Sequence, residues 1–336
     1  MRHGSKSEDS ILKRIFARAE DSAQNLAGRA VRLGIGDDAA LFRPKRAHET
    51  ILTCDWFLEG THFRRDKHPP DAVGWKCLTR ALSDVAAMGG VPRCFLLSLA
   101  LPESHTGRWL DAFLGGLRRA SRRFNCTLAG GDTTRRREIL ISVTAVGEIR
   151  NAGAVLRSGA RAGDIIYVTG RLGEAELGLR ILRSSLGRVR PSNPILKKHL
   201  YPEPRLAVGQ WLAERGFATS MMDLSDGLST DLPRLCAASG VGADVESGRL
   251  PVTQRLSAGR GAGVAPLQLA LHGGDDYELL FTVRPSHVNM VPRTFRGTPL
   301  TAIGRITEHR GLVLLKQEGR ERQLHPGGWD PFRIKR

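Results

Sequence analysis

The sequence has no long apolar segment. Its longest apolar run, from Cys94 to Leu101, has the length of a strand, whereas a helix needs about 20 apolar residues to cross a bilayer. The basic residues near Met1 are not followed by the apolar stretch of a secretory signal. We therefore expect a globular protein of the cytoplasm, without a membrane as a partner.

Cysteines are few, odd in number and far apart. Their spacing fits neither a zinc site nor a disulfide framework, and scattered thiols are typical of a reducing compartment. This usage also indicates the cytoplasm. The five are Cys54, Cys77, Cys94, Cys126 and Cys236.

Acidic residues are too few to balance the basic ones. The 51 Lys and Arg against 34 Asp and Glu give a formal net charge of +17, which suggests nucleic acid or small polyanions as partners. Arg118, Arg119, Arg122 and Arg123 lie opposite the apolar stripe of a predicted helix and form a solvated face. Interleaved aromatics and a helix-turn-helix signature are missing from the sequence, so we expect no specific nucleic-acid partner.

The common nucleotide-binding motifs are missing too. The sequence contains neither a G-x-x-x-x-G-K-[ST] loop nor the H-R-D and D-F-G motifs of protein kinases. The stretch from Gly34 to Ala39 fits a G-x-G-x-x-A fingerprint, but the adjacent Asp37 and Asp38 would repel a pyrophosphate. A turn that presents both carboxylates to a hard cation fits better.

What the sequence does contain is a series of aspartates, each close to Gly, Ser or Thr at the expected end of a helix or strand. Carboxylates that converge repel one another unless divalent cations bridge them. Few imidazoles and no paired thiolates accompany them, which favours Mg²⁺ over Zn²⁺. The pattern predicts a Mg²⁺–nucleotide enzyme outside the P-loop and protein-kinase classes. The aspartates are Asp37, Asp38, Asp55, Asp84, Asp132, Asp223, Asp226, Asp275 and Asp276.

Each element of this pattern has an ordinary structural alternative. Asp37 and Asp38 fit a simple turn between strands, and Asp226 fits a helix N-cap. Asp84 falls in the last turn of a predicted helix, where the helix dipole disfavours an anion by only a few tenths of a kcal/mol. His62 fits an ordinary histidine at a strand end.

The pattern of apolar residues predicts two domains: strands and helices alternate in the first half of the chain, and the pattern then restarts. A short strand at 50–53 delivers Asp55 at its end, a helix runs from 70 to 88, and a strand at 126–129 leads into the glycines at 130–131. The turn-rich segment 147–163 divides the chain into domains at 1–150 and 151–336. The second domain starts with a strand at 165–169 and a helix from about Gly173, followed by a loop at 191–204.

Seven motifs in order resemble those of the thiamine-monophosphate kinase family. Singly each is weak, but their order is highly specific and spans almost the whole chain. They are Gly34-Ile35-Gly36-Asp37-Asp38, Asp55 with Glu59-Gly60-Thr61-His62-Phe63, Leu82-Ser83-Asp84 with Ala87-Met88-Gly89, Gly130-Gly131-Asp132-Thr133-Thr134, Arg157-Ser158-Gly159-Ala160, Asp223-Leu224-Ser225-Asp226-Gly227-Leu228 and Gly273-Gly274-Asp275-Asp276-Tyr277-Glu278-Leu279.

This resemblance implies a fold and a reaction. The fold is that of the aminoimidazole-ribotide-synthetase superfamily, an N-terminal α/β nucleotide-binding and dimerisation domain followed by an α+β domain, in a homodimer. The reaction is transfer of the γ-phosphoryl group of ATP to thiamine monophosphate, which makes thiamine diphosphate, with Mg²⁺ required.

The resemblance also assigns residues to roles. The predicted Mg²⁺ ligands are Asp38, Thr53, Cys54, Asp55, Asp84, Asp132, Asp223 and Asp226. The predicted ATP contacts are Gly131, Asp132, Arg157 and Ser225, and the predicted substrate contacts are His62, Asp275 and Trp329.

Two positions depart from the family pattern. Position 54 is Cys where the family usually has Thr or Ser, and Asp275 replaces a frequent Glu. Because the acceptor phosphate is already ionised, we expect direct in-line transfer without a covalent nucleophile, supported by Asp132, Asp226 and Arg157. Two alternatives stay open: a sister enzyme similar to aminoimidazole-ribotide synthetase, and a non-specific binder of anions or nucleic acid.

Overall fold

The structure forms two compact units. One lies within Met1–Val85 and Gly90–Ala152, and the other within Ala86–Gly89 and Gly153–Arg336; they are called the N-terminal and C-terminal units below. Among the residues it describes, no helix combines the length and apolar character that a bilayer-spanning segment requires. The computed structural model describes residues 11, 14, 15, 30–35, 39–185, 193–252 and 265–332.

A four-stranded sheet is the basis of the N-terminal unit. Its strand order is β3-β6-β4-β5, and only the β4–β5 pair is parallel. A short hairpin of β1 and β2 precedes it. The strands are β1 (Val31–Leu33), β2 (Leu41–Phe42), β3 (His48–Leu58), β4 (Val91–Leu101), β5 (Thr127–Arg135) and β6 (Leu140–Arg150).

Helices α1 (Pro70–Ala87) and α2 (Arg108–Phe124) accompany this sheet. Their fully buried faces include Leu82 and Phe113. The two helices pack so closely that a Cβ at Gly116 would lie 1.9 Å from the carbonyl oxygen of Asp71. Only glycine permits so close a contact. The contact fixes the relative position of the two helices, which together cover one face of the sheet.

The opposite face of the sheet, the open face, carries exposed apolar side chains. Leu52, Trp56 and Leu96 are 70%, 57% and 40% exposed. Leu52 and Trp56 alternate along β3 with the buried Ile51 and Phe57, as expected for a strand with one covered face.

An eight-stranded sheet is the basis of the C-terminal unit. Its order is β14-β13-β9-β12-β7-β10-β8, with β11 paired to β12. Both neighbours of β7 are antiparallel to it. The strands are β7 (Ile165–Thr169), β8 (Ala218–Leu224), β9 (Gly242–Glu246), β10 (Glu278–Val283), β11 (Thr294–Phe295), β12 (Thr298–Thr307), β13 (Val313–Gln317) and β14 (Arg320–Gln323).

Both faces of this sheet are covered. Val168 of β7 packs in one apolar cluster, and Tyr167, on the other face, packs in a second cluster with Phe281. Strands buried on both faces are mostly apolar rather than alternating, as the central residues of β7 and β10 are. The helices of this unit are α3 (Glu174–Ser184), α4 (Pro194–Leu200), α5 (Leu206–Arg215), α6 (Leu228–Ser239) and α7 (Pro266–His272).

Three elements differ from the sequence-based expectations. β3 is longer than predicted, so Asp55 lies inside the strand rather than at its end. The glycines Gly130 and Gly131 belong to β5 instead of following it. The expected loop at 191–204 contains α4, because Pro194 takes a first-turn helix position, where its missing N–H costs nothing.

Candidate active site

Thr53 and Asp84 form a polar contact between β3 and α1. Thr53 Oγ1 donates a hydrogen bond of 2.5 Å to Asp84 Oδ2, and Asp84 lies in the last turn of α1, as predicted. Asp55, two residues after Thr53, points to the same side of the sheet, where its Oδ1 lies 3.9 Å from Arg80 Nη2. Three predicted metal ligands of the N-terminal unit therefore offer hydroxyl and carboxylate oxygens on one face.

The Cys54 side chain points the other way. It is exposed on the open face, and its Sγ lies 3.4 Å from Ser142 Oγ. Successive side chains of a strand point to opposite faces, so the thiol is on the other side of the sheet from the Thr53 and Asp55 side chains. The backbone carbonyl is thus the atom of Cys54 that an ion beside Asp55 could reach.

Gly131 and Asp132 lie on the strand at the opposite edge of the sheet. Gly131 has a φ of 154°, and a Cβ there would lie 1.9 Å from the carbonyl oxygen of Leu97. Only glycine fits this approach. The register aligns Asp55 with Gly131 through Val143 and Leu97. Three interstrand spacings of about 4.8 Å separate them by roughly 14 Å, so one sheet does not bring Asp132 to Asp55.

His62 is oriented by the backbone of the turn that follows β3. The N–H of Leu58 donates to His62 Nδ1 at 3.0 Å, and the His62 ring lies 5.8 Å from that of Phe57. Because Nδ1 accepts this bond, the neutral ring carries its proton on Nε2. Nε2 is therefore the atom with which His62 would donate to an anionic ligand.

A buried carboxylate organises the loop between β8 and α6. The N–H groups of Ser225, Asp226 and Gly227 all donate to Asp231 Oδ2, at 3.2, 3.0 and 3.0 Å. Gly227 rather than Asp226 occupies the N-cap position of α6. The capping alternative for Asp226 therefore does not apply. Asp231, in the first turn of the helix, instead holds the N–H groups of the loop that precedes it.

Asp231 and Asp226 share a cation. Arg234 Nη1 contacts Asp226 Oδ2 at 2.5 Å and Asp231 Oδ1 at 3.0 Å. Burial and the nearby Asp226 carboxylate raise the pKa of Asp231 to about 6, while its backbone bonds and Arg234 act in the opposite direction. Near neutral pH the loop thus holds two carboxylates, one of them fully buried, which Arg234 holds together.

Asp275 is attached to the same loop. Its N–H donates to the Ser225 carbonyl oxygen at 2.8 Å, and its carboxylate accepts from Tyr277 Oη at 2.7 Å. The buried His199 places Nδ1 3.8 Å from Asp275 Oδ2. Asp275 and Tyr277 have left-handed φ angles of 67° and 50°. Such angles are strained in residues other than glycine and collect at functional sites.

The segment before Trp329 docks on the loop from another side. The N–H of Trp329 donates to the Asp226 carbonyl oxygen at 2.9 Å, and Gly328 N–H donates to Thr230 Oγ1 at 3.1 Å. The Trp329 side chain stays 40% exposed. Within the C-terminal unit, the structure therefore brings together Ser225, Asp226, Asp275 and Trp329. Asp223, at the end of β8, is buried just before this loop.

Asp276 lies between the two residues with left-handed φ angles, Asp275 and Tyr277, and connects this segment to α3 by hydrogen bonds. Its carboxylate accepts from the N–H groups of Gly173 at 2.7 Å and Ala175 at 3.2 Å, at the N-terminus of α3. Burial raises the pKa of Asp276 to about 8, against the lowering effect of those backbone bonds. The next acid, Glu278, is also buried, but Arg205 lowers its pKa despite that burial. Asp276 thus fixes the backbone on which Asp275 and Tyr277 lie.

Some predicted residues are not part of these groups. The Arg157 carbonyl oxygen accepts from Ser239 Oγ at 3.0 Å, at the C-terminal end of α6, a helix that is about 18 Å long. The backbone of Arg157 is thus at the opposite end of α6 from the Ser225 loop. Asp38 lies outside the described residues. Among those that are described, no three His, Cys, Asp or Glu form a metal-binding group, so the ligand assignments stay predictions.

Sequence reasoning missed the residues that support the site. Asp231 falls in the first turn of α6, where an acidic residue is common, so its spacing of five from Asp226 gave no distinctive signal. Tyr277 belongs to a quoted motif, but its hydroxyl contact follows from a left-handed backbone that sequence does not indicate. His199 lies on α4, the helix that the prolines concealed.

Comparison with known proteins identifies the family. Residues 36–149 match the family of AIR synthase related protein, N-terminal domain, and residues 161–316 match its C-terminal domain. The thiamine-monophosphate kinase of Escherichia coli (strain K12) is 37% identical over 333 residues, covering 97% of this chain and 98% of that protein. The chain belongs to the thiamine-monophosphate kinase family.

Solved structures of thiamine-monophosphate kinases that are similar to this chain confirm the fold. The crystal structure of thiamine-monophosphate kinase from Stenotrophomonas maltophilia K279a is 35% identical, with a TM-score of 0.81, and the match covers 94% of this chain and 98% of that one. AaThiL complexed with AMPPCP and TMP is 33% identical, with a TM-score of 0.76 and 99% of both chains covered. The predicted family and the predicted two-domain fold are both confirmed.

Proposed function

We propose that the protein transfers the γ-phosphoryl group of ATP to thiamine monophosphate and forms thiamine diphosphate. The observation that carries this proposal is the loop on which Ser225, Asp226, Asp275 and Trp329 are joined by backbone hydrogen bonds. The family resemblance assigns an ATP contact, a metal ligand and two substrate contacts to these four. These four residues come together in a chain that is similar to AaThiL, a protein whose structure is complexed with AMPPCP and TMP. Both observations support the proposal.

The residues suit direct in-line transfer. The acceptor phosphate is ionised at neutral pH, so the chain has to align the two phosphates and neutralise charge rather than remove a proton. Arg157 would neutralise phosphate charge, and His62 would donate to substrate through Nε2. The buried thiols are poor nucleophiles, because burial raises the pKa of Cys94 to about 11 and that of Cys236 to about 12. We therefore propose transfer without a phosphoenzyme.

The donor set fits Mg²⁺. Thr53, Asp55 and Asp84 offer oxygen atoms only, which Mg²⁺ prefers. With the Cys54 carbonyl, Asp132, Asp223, Asp226 and Asp38, they are the residues proposed to hold it. When bound, Mg²⁺ would neutralise the charge that the phosphates carry. The aspartates themselves would determine the position at which the ion neutralises the phosphate charge.

We also propose that the active form is a homodimer. Leu52, Trp56 and Leu96 make the open face apolar, and a second sheet would cover it. Asp55 and Asp132 lie on opposite edge strands, roughly 14 Å apart. A copy related by a two-fold axis could place one protomer's β5 near its partner's β3, so pairing would reduce that separation.

The domain roles and the compartment complete the proposal. The domain at 1–150 would supply most Mg²⁺ ligands, part of the ATP site and the dimer surface, and the domain at 151–336 would supply the loop that holds Asp275 and Trp329. We place the protein in the cytoplasm, in keeping with its five free cysteines. Fractionation of cells that produce the full chain tests this placement.

The direct test uses purified protein with thiamine monophosphate, ATP and Mg²⁺, and chromatography of the products. Thiamine diphosphate should form only when all three are present. Asp132→Asn should lower kcat by roughly a hundredfold or more, since losing a metal-bound charge costs several kcal/mol. Asp132 is exposed, so the thermal midpoint should not move. The matched control is Asp66→Asn, an exposed carboxylate paired with Arg64. Thiamine monophosphate left unchanged while another acceptor is phosphorylated would overturn the proposal.

A further inference from the structure

The β1–β2 hairpin and the sheet of the N-terminal unit border an open basic cavity of about 410 Å³. Five of its lining residues are cationic and one is acidic, Glu148; the rest include Asn125 and Thr127. The cationic ones are Arg32, Arg43, Lys45, Arg46 and Arg93. This basic cavity lies outside the groups of residues described above.

The floor of the basic cavity is held by hydrogen bonds, and both oxygens of its one carboxylate, Glu148, accept hydrogen bonds from neighbouring residues. Glu148 is 1% exposed. Its Oε1 accepts from the backbone N–H of Lys45 at 2.9 Å, and its Oε2 accepts from Arg93 Nε at 2.7 Å. Arg93 therefore neutralises Glu148, and the Lys45 contact holds the rim segment against the sheet. The hairpin itself is anchored by Val31, which packs against Cys94 and Ala129.

The rim of the basic cavity keeps an excess of positive charge. Arg32, Arg43, Lys45 and Arg46 are exposed, and none of them forms an ion pair with a carboxylate in the part of the chain that the structure describes. Asn125, at the C-terminal end of α2, brings the helix dipole close. Its partial negative charge of about 0.5 is much smaller than four cationic side chains. Like charges held together in a concavity attract a polyanion.

The basic cavity is separate from the predicted ATP contacts of the N-terminal unit, Gly131 and Asp132. Thr127 lines the cavity and begins β5, while Asp132 lies five residues further along the same strand. At about 3.3 Å per residue, roughly 16 Å separates them. Among the described residues that line the cavity, Glu148 is the one carboxylate, so these residues do not need a divalent cation to accept phosphate groups.

We propose that the basic cavity binds a small molecule through a diphosphate or triphosphate group. Guanidinium groups on several sides match phosphate oxygens bidentately, and Asn125 and Thr127 add uncharged donors. The size is that of a small-ligand site. A nucleic-acid backbone would be better served by an extended positive surface than by a concave site.

Inorganic triphosphate is the probe, titrated calorimetrically into the full chain in EDTA, without divalent cations. One site per chain should saturate. Arg43→Glu with Arg46→Glu should weaken binding at least about tenfold, and the Gln pair at the same positions should weaken it less. The matched control, Arg310→Glu with Arg320→Glu, changes net charge equally at exposed positions of the C-terminal unit and should alter affinity less than about twofold.

Four results would overturn this site. Binding that does not saturate, or that both charge-reversed pairs weaken equally, would indicate diffuse attraction by the net charge. Loss of binding in Arg157→Glu would place the triphosphate in the predicted ATP site. Binding of a 20-base-pair DNA duplex that the rim pair abolishes and triphosphate does not displace would make the rim a nucleic-acid surface. These measurements use no substrate and no Mg²⁺, so they are independent of the kinase activity.

Discussion

The backbone N–H of Trp329 donates a hydrogen bond of 2.9 Å to the carbonyl oxygen of Asp226. The contact joins a proposed substrate residue to a proposed metal ligand more than 100 positions earlier. Because it uses main-chain atoms, the contact itself occupies neither side chain; the Asp226 carboxylate is paired with Arg234, and the Trp329 side chain is partly exposed. Mutations of the side chains can therefore test ligand binding without removing the main-chain bond that positions the two segments.

Trp329→Ala should impair substrate binding and not folding. The main-chain bond to Asp226 survives the substitution, whereas an indole side chain that is 40% exposed is lost. We expect KM for thiamine monophosphate to rise about tenfold, since losing one aromatic contact costs about 1 kcal/mol or more, with the thermal midpoint unchanged. Phe332→Ala, at a residue that is 92% exposed, is the control. A large fall in the thermal midpoint of the Trp329 variant would contradict the expectation.

Asp231→Ala should have the opposite character. It leaves the N–H groups of Ser225, Asp226 and Gly227 without their acceptor, and an unsatisfied buried donor costs about 1–3 kcal/mol. We expect a lower denaturant midpoint together with weaker ATP binding. Asp231→Asn keeps an acceptor oxygen and should lose less. The control is Glu214→Ala, at an exposed position of α5; an unchanged midpoint for Asp231→Ala would show that water replaces the carboxylate.

Cys54→Thr should leave the Mg²⁺ dependence of the rate nearly unchanged. The side chain at position 54 is on the open face, away from the Asp84 and Asp55 carboxylates, so only the backbone carbonyl can act as a ligand there. Mg²⁺ favours that oxygen over a neutral thiol. Initial rates against Mg²⁺ concentration for both proteins provide the measurement. A several-fold decrease in the Mg²⁺ needed for half-maximal rate would mean that a hydroxyl at this position is a ligand.

Charges on the open face should separate the proposed dimer. Leu52→Glu with Trp56→Glu places two carboxylates where an apolar partner surface is expected, and desolvating them costs several kcal/mol. Sedimentation equilibrium should give the mass of two chains for the native protein and of one for the variant, with activity lost. Met290→Glu, at an apolar residue of the C-terminal unit that is 59% exposed, controls for general effects. A native protein with the mass of one chain rules out the dimer.

Asp276 should make stability depend on pH. Burial raises its pKa from 3.8 to about 8, with Glu278 adding to the shift and the Gly173 and Ala175 N–H groups and Lys198 opposing it. Between these two pKa values the folded chain holds a proton that the unfolded chain has released. This contribution to stability is therefore lost as pH rises towards 8. Asp276→Asn mimics the protonated group, so its denaturant midpoint should rise relative to the native protein between pH 5 and 8.5. A constant difference would contradict the raised pKa.

Much of the structure could be predicted from local sequence patterns and from the order of the motifs. The strand at 165–169 is confirmed at both ends, because its apolar run is bounded by Asp164 and Gly170. The position of Asp84 in the last turn of α1 followed from the apolar periodicity that Gly89 and Gly90 terminate. Family and fold followed from the order of seven motifs, none of which was specific alone.

Contacts between distant segments were beyond that reasoning. The role of Asp231 depends on a loop that folds back onto the helix after it, and the sequence offers only an acidic first turn. The separation of Asp55 from Asp132 depends on a strand order that places β6 and β4 between them. Local sequence does not specify such an order, because it is decided by how whole faces pack.

The central position of β7 has a consequence for synthesis. Val168 pairs with Leu280 on one side and Thr301 on the other, both more than 100 residues later in the chain. At about 5–20 residues per second, a ribosome needs roughly 5–20 s to make the first of these partners. Throughout that time an apolar strand with two bare edges is available to other nascent chains. The growing polypeptide, more than the finished enzyme, is where chaperones would be needed.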